Sequence, residues 1–437
     1  MDKFKYILII ILSIAIVNAF PEGIKHPVIV LNGPWKFHTG DDMRWADQGF
    51  DDADWEKTDL TPTPGAHDGD VGLSGYVKGW TAKGHLGYSG YAWYRIHIDI
   101  AGEKIMNLEM VGPPDVDDAY QVFANGVLLG SDGDFSGKTP IVYSIQPRIF
   151  SLSGAGFAPK DGKDSLVIAF RVWVDASTVK GSPDDAGGIH IAPAIGEKSG
   201  IEARYHAQWL QSFWGYIVDA AEPLLFILLA ILTYNVTLFG SSTIASRWFV
   251  LALLLTAFVR ANQVLFYWTQ YESNHTYDVI REVLLIPLCL WAWLMTFRFW
   301  FGIENRLTWV PKVITSLTRL YILFRLFSLP WFLPGTFQPL NADFDNACSW
   351  LRISFLAILI VLVFMGYKQR RNQLWLVMPA VILLAIGLFA QELSIIHIPG
   401  IWFPYGIGVS RTQYAYAGFI IFMFSILISL KRKEQNY

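Results

Sequence analysis

Cysteine is nearly absent: the 437 residues contain two, Cys289 and Cys348, and both lie in the C-terminal half. The N-terminal half can form no disulfide, so its roughly 185 residues have to be held by core burial alone, which is feasible at that size. Charge is scarce as well, 16% of residues against 53% hydrophobic, less than an ordinary soluble chain carries. The shortage is local. Residues 20–205 hold 16 Lys and Arg against 26 Asp and Glu, a net of −10, whereas residues 206–437 hold 16 against 10, a net of +6. An acidic, soluble-looking half precedes an apolar half with scattered basic residues. The acidic balance argues against nucleic acid and anionic polysaccharide as partners of the first half, whose field repels both.

What is present begins with an export signal. Lys3 and Lys5 precede an apolar run from Tyr6 to Val17, and Val17-Asn18-Ala19 is a small-residue cleavage site. Residues 1–19 therefore read as a signal peptide cleaved after Ala19. An uncleaved signal anchor is the alternative, disfavoured because the run is about half the ~20 residues a span needs. Either way, Phe20 onward is exported.

From Trp214 onward, apolar stretches alternate with short polar loops. Spans are expected at about 214–239, 245–268, 278–302, 308–332, 349–366, 372–392 and 411–431, with Arg319 and Arg325 interrupting the fourth. The loops expected inside carry Arg247; Arg298, Arg306 and Lys312; Lys368, Arg370 and Arg371; and Lys431, Arg432 and Lys433. Those expected outside, QYESNHTYD and PGTFQPLNADFDNA, have neither Lys nor Arg. Export signal and positive-inside bias agree on an external N-terminal domain, an odd count of seven spans over 214–431 and a cytoplasmic tail at 432–437.

Residues 20–200 read as an antiparallel β-sandwich. Tyr94, Ile96 and Ile98 alternate with Arg95, His97 and Asp99, the period of a strand with one buried face. In YQVFANGVLLG, Asn125-Gly126 sits between two apolar runs as a hairpin turn, and LVIAFRVWV (Leu166 to Val174) is a further strand. The segments LNGPWKFHTGDDMRWADQGFDDADW, GYAWYRIHIDI, DDAYQVFANGVLLGSDGDF and DSLVIAFRVWV together resemble, in order, the N-terminal sugar-binding domain of glycoside hydrolase family 2 enzymes. The resemblance implies a galactose-binding-like jelly roll. No barrel-sized segment follows, so the paired carboxylates of a glycosidase have no scaffold and a catalytic role is not expected. Asp41, Asp42, Asp51, Asp52 and Asp54 read as turn-formers, with a structural calcium as the alternative; no metal or cofactor is assigned.

A jelly roll joined to seven helices also resembles the bacterial seven-transmembrane receptors with diverse intracellular signalling modules. That resemblance implies the bacterial inner (cytoplasmic) membrane and a cytoplasmic output domain. Only a few residues follow the last expected span, so output is expected from a cytoplasmic signalling partner or from a domain missing from the chain. Membrane lipid and a homodimer are further partners the reading admits.

Two groups of candidate residues stand out. His67, Asp68, Trp80, His85, Tyr88 and Tyr91 lie in a Gly-rich segment and combine sugar-stacking faces with short polar groups; an ordered loop covering the sandwich is the alternative. Trp35, Trp55, Trp93 and Trp173 read as core. In the apolar half, Asp219, Glu222, Arg260, Glu282, Arg325, Glu392 and Arg411 fall in the outer parts of the expected spans, where an ionisable group has to be paired or hydrated. At ~1.5 Å per residue, Glu222 and Arg260 sit at the same ~12 Å depth and are expected to pair. The remaining members are either a receptor cavity or docking seat, or else interfacial groups reaching to water or structural pairs between helices. The segment IEARYHAQWLQSFWGY, whose residues 201–213 precede the first span, is the expected coupler. A receptor for a neutral saccharide or an exported protein is the leading reading, and a membrane enzyme acting on lipid-linked or cell-wall sugars is the alternative.

Overall fold

In a computed structural model, the described residues are 28–69, 71–99, 108–153, 165–235, 243–303, 308–333, 337, 340–369, 374–390, 392 and 411–435. The expected signal peptide lies outside them. A β-sheet region comes first and a helical region follows.

All strand pairings are antiparallel. The larger sheet has the order β3(Glu56–Thr58), β2(Trp35–Thr39), β4(Gly90–Asp99), β10(Ser165–Val174), β7(Ala119–Ala124), β8(Val127–Asp132). The smaller has β1(Val28–Val30), β12(Ala194–Glu197), β5(Leu108–Val111), β9(Ile149–Ser151), and β6(Val116–Asp117) pairs with β11(Gly188–Ile189). One core joins the two main sheets: Trp35, Tyr94, Val122 and Phe170 from the larger meet Met110, Phe150 and Ile195 from the smaller. The β7–β8 hairpin turns at Asn125-Gly126, with φ of 48° and 86°, the positive values a two-residue type I′ turn needs.

The strand β4 departs from the one-faced pattern. Its Tyr94 and Ile96 enter the main core, yet Trp93 and Arg95 on the opposite face are fully buried as well. The segment around Met43–Ala46 and the following turn fold over that face, so that Trp45, Phe50 and Trp55 pack with Trp93, Phe123 and Ala169. Asp52, expected only to form a turn, accepts from Arg95 Nε at 2.8 Å and is 2.8 Å from His97 Nε2. Burial opposes ionisation of Asp52, but the Arg95 and His97 contacts outweigh it and hold the carboxyl below its usual range. Asp41 pairs with Arg171, Asp42 caps the 43–46 turn and Asp51 accepts from Ala53 N.

Helix α1(Ala176–Gly181) belongs to the β-region. The helical region comprises α2(Lys198–Gly215), α3(Ile217–Asn235), α4(Thr243–Trp268), α5(Asn274–Trp300), α6(Val310–Ser328), α7(Leu340–Gln369), α8(Leu374–Leu388) and α9(Arg411–Gln435). Within α5, residues Val279–Leu285 form a π-helical stretch. Among the described residues, four helices are long and apolar enough to cross a membrane: Ile217–Tyr234, Ile244–Trp268, Asn274–Trp300 and Leu340–Lys368. That is the length and composition of a membrane protein, but the expected count of seven is not supported. Helix α6 carries Lys312, Arg319 and Arg325, and the apolar helices Met378–Leu388 and Gln413–Ile428 are shorter. Several boundaries also move. Trp214 belongs to α2, α7 starts at Leu340 inside the expected external loop, and α9 runs on to Gln435.

Candidate functional site

The segment expected as the coupler lies in helix α2, which touches both regions. Ile201, fully buried, packs with Val111 and Ala194 of the smaller sheet. Farther along, Gln211 Nε2 donates to Gly72 O at 2.5 Å, and a Cβ on Gly215 would lie 2.3 Å from Val71 Cγ1. At its C-terminal end Phe213 stacks on Trp268 with centroids 4.6 Å apart, and Tyr216 stacks on Tyr267 at 4.2 Å. A second link runs from β8: the buried Asp132 accepts from Arg148 Nε at 3.1 Å and from Gln270 Nε2 at 2.7 Å, while Asn274 N donates to Val142 O at 2.9 Å. Burial pushes the Asp132 carboxyl up to about 6, against the pull of Arg148.

Between these links lies a cavity of about 440 Å³. Its β-region wall includes Tyr76, Asp115, Asp117, Asp118 and His190; its other wall comes from Trp209 of α2, Tyr216, Tyr267 of α4 and Asn274 of α5. Tyr76 and His190 stack with centroids 5.0 Å apart and planes 4° from parallel. His190 Nε2 is 3.2 Å from Asp117 Oδ2, and its Nδ1 is 3.0 Å from Val77 O. Burial alone would lower the imidazole's pKa; the contact with Asp117 and the nearby charge of Asp115 override it and raise the value to about 9. Asp118 is raised as well, here against its charged form: burial, then the neighbouring charge of Asp117, push it up to about 7. Five aspartates (68, 115, 117, 118 and 185) line the cavity against His190. Trp209 Nε1, Gln146 Nε2 and Asn274 Oδ1 are buried with no hydrogen-bond partner among the described residues. The cavity thus presents aromatic faces, acceptors and donors together, the components of a site for a polyhydroxylated molecule.

Of the six ligand residues expected from the sequence, Asp68 alone lines this cavity, and its carboxylate accepts from the backbone N–H groups of Val71 at 2.7 Å, Gly72 at 3.3 Å and Leu73. His67 lines a separate groove beside Arg204. Trp80 is core, with Nε1 donating to Tyr88 O at 3.1 Å. His85 Nε2 lies 2.6 Å from Glu56, Tyr88 OH donates to Tyr91 O at 2.5 Å, and Tyr91 lies beneath the Arg171 guanidinium at 4.0 Å. These residues brace the Gly-rich segment and do not converge on one point. The residues that do converge escaped sequence reading, although the acidic run DVDD at 115–118, inside an apolar stretch, was a visible signal.

The polar cluster of the helices is largely connected. Arg260 Nε donates to Glu222 at 2.6 Å, and its other nitrogens donate to Asp219 and, at 3.0 Å, to Gln263. Glu282 accepts from Arg281 and, at 3.3 Å, from Arg325, which also donates to Asp345 at 2.6 Å. Glu392 pairs with Arg352. The side chain of Arg411 lies outside the described residues.

No family model matches the chain, and no curated protein matches it. Solved structures similar to part of it include a beta-glucuronidase from Bacteroides uniformis at 16% identity and TM-score 0.28, covering 40% of this chain and 18% of that one. A beta-glucuronidase from glycoside hydrolase family 2 has 19% identity and TM-score 0.28 over the same shares, and one from Ruminococcus gnavus has 11% and 0.26, covering 41% of this chain and 31% of that one. The chain thus spans less than a third of the length of these enzymes, and a likeness at this level carries no argument about activity.

Proposed function

We propose that the chain is a membrane receptor in which an exported jelly-roll domain and a bundle of membrane-spanning helices share the junction cavity. A neutral saccharide bound there alters how the two regions pack, and a cytoplasmic partner reads the change. The observation that carries this reading is the two-sided wall, Tyr76, Asp117 and His190 from the β-region facing Trp209, Tyr216 and Tyr267 from the helices. A ligand shifts an equilibrium only by binding two arrangements with different affinity. Contacts drawn from both regions supply that difference whenever one region moves against the other.

The ligand class follows from the lining. Carboxylates accept hydroxyl hydrogen bonds, aromatic faces stack on sugar rings, and five aspartates against one histidine disfavour a uronate. The absence of Lys and Arg from QYESNHTYD supports an extracytoplasmic position for this end of the helices.

The test is binding of a panel of neutral sugars, amino sugars and uronates to the full chain in lipid nanodiscs, followed by Tyr76→Ala and Tyr267→Ala. Both substitutions are expected to weaken the same neutral ligand by at least about tenfold, the size of one lost aromatic contact. Loss with Tyr76→Ala and none with Tyr267→Ala would confine recognition to the β-region and sink the coupling. Failure of every sugar, with folding intact, would leave an exported protein as the ligand.

A further inference from the structure

A second cavity, of about 220 Å³, lies within the helices and is lined by Arg260, Arg281 and Arg352 together with Gln263, Cys289 and Tyr416. Each arginine is paired: Arg260 with Asp219 and Glu222, Arg281 with Glu282, Arg352 with Glu392. Among the described residues, none of those four carboxylates lines the cavity. Every ion pair therefore turns its positive member toward the space and holds its negative member behind. In a low-dielectric surrounding, the nearer charge dominates the local field, so the three guanidinium groups set the field inside although four carboxylates stand behind them. The Arg281 Nε–H is buried without a partner among the described residues, and it comes from the π-helical stretch of α5, a backbone form that recurs at functional sites.

We infer that this intrahelical cavity binds a monoanion, a carboxylate or phosphate on a short apolar body, with Arg281 as its principal donor. Its volume holds roughly seven water-sized groups at ~30 Å³ each. Ile286, Leu290 and Leu388 supply the apolar part of the wall. The anion has two sources, a soluble acid or the phosphate of an anionic lipid.

The experiment uses the full chain in phosphatidylcholine nanodiscs, with butyrate and butyl phosphate as anionic probes and butylamine and butanol as controls. The anions are expected to raise the melting temperature by at least about 3 °C and the controls to leave it unchanged. Arg281→Gln should abolish the shift while Arg281→Lys keeps part of it; Glu282 retains Arg325 as a partner in both. Should Arg281→Gln fail to fold, protection of Cys289 from a small thiol reagent, read by mass spectrometry on the unsubstituted chain, replaces it. The anions should slow modification of Cys289 and the amine should not. Exchanging half of the lipid for phosphatidylglycerol separates the sources: a shift without soluble probe identifies the lipid phosphate. Equal shifts with butanol or butylamine, or neither a shift nor protection with any anion, would overturn the assignment.

Discussion

Arg260 of α4 bonds Glu222 of α3 at 2.6 Å and reaches Asp219, three residues earlier on the same helical face, with another nitrogen. The expected pair is therefore a triad, to which Gln413 adds a fourth member by donating to Asp219 at 2.8 Å. One guanidinium serving two carboxylates makes the substitutions unequal. Arg260→Met leaves both buried acids without a counter-charge, Asp219 keeping only Gln413, and is expected to destabilise by about 3–5 kcal/mol. Glu222→Gln leaves Asp219 on the arginine and should be much milder. Glu222→Gln combined with Arg260→Met still leaves Asp219 without its counter-charge, so only Asp219→Asn with Glu222→Gln and Arg260→Met together should recover folding. Thermal unfolding of the series in one detergent checks this, and equal effects of the two single changes would refute the triad. Retention of any sugar turnover by Glu222→Gln would also remove that carboxylate as an acid or base.

Orientation is open to direct measurement. A reporter fused after Tyr437 is expected to signal from the cytoplasm, and one inserted within 333–339 from outside, because basic residues cluster in alternate loops. Signals from the same side at both positions would overturn the expected orientation.

The pH dependence rests on His190. Its value, raised to about 9 against an ordinary 6.5, gives the folded state extra proton affinity. The stabilisation is fully present below about 6.5 and lost as pH rises through about 9. The melting temperature should therefore fall between pH 7 and 9.5, and His190→Gln should flatten that limb while lowering stability most at pH 6. Asp118, raised to about 7, acts in the same direction: its carboxylate penalises folding increasingly as pH rises from about 4 to 7. Asp118→Asn is accordingly expected to raise the melting temperature at pH 8 and leave it nearly unchanged at pH 4.

Gly215→Ala probes the contact between α2 and the 68–73 loop. The added methyl meets Val71 at 2.3 Å, so helix and loop have to separate, at a cost of about 1–3 kcal/mol. Hydrogen exchange should rise at Val71 to Leu73, where Gln211 holds the loop, and stay unchanged in β10. An unchanged loop would mean the contact is not tight.

Local pattern alone determined much of this protein. The apolar periodicity after Trp214, the Asn125-Gly126 turn, the long strand at Ser165–Val174 and the meeting of Glu222 with Arg260 at one depth all follow from spacing along the chain. Tertiary structure decided what spacing cannot encode. Arg95 looked like the solvent face of a strand until residues 41–55 closed over it. Residues 76, 117, 190, 209 and 267 share a cavity because α2 docks against the smaller sheet and stacks its end on α4. The physical reason is range: side-chain period reports which face of an element is apolar, whereas a cavity depends on how separate elements pack, and no residue carries its distant neighbours in its own sequence.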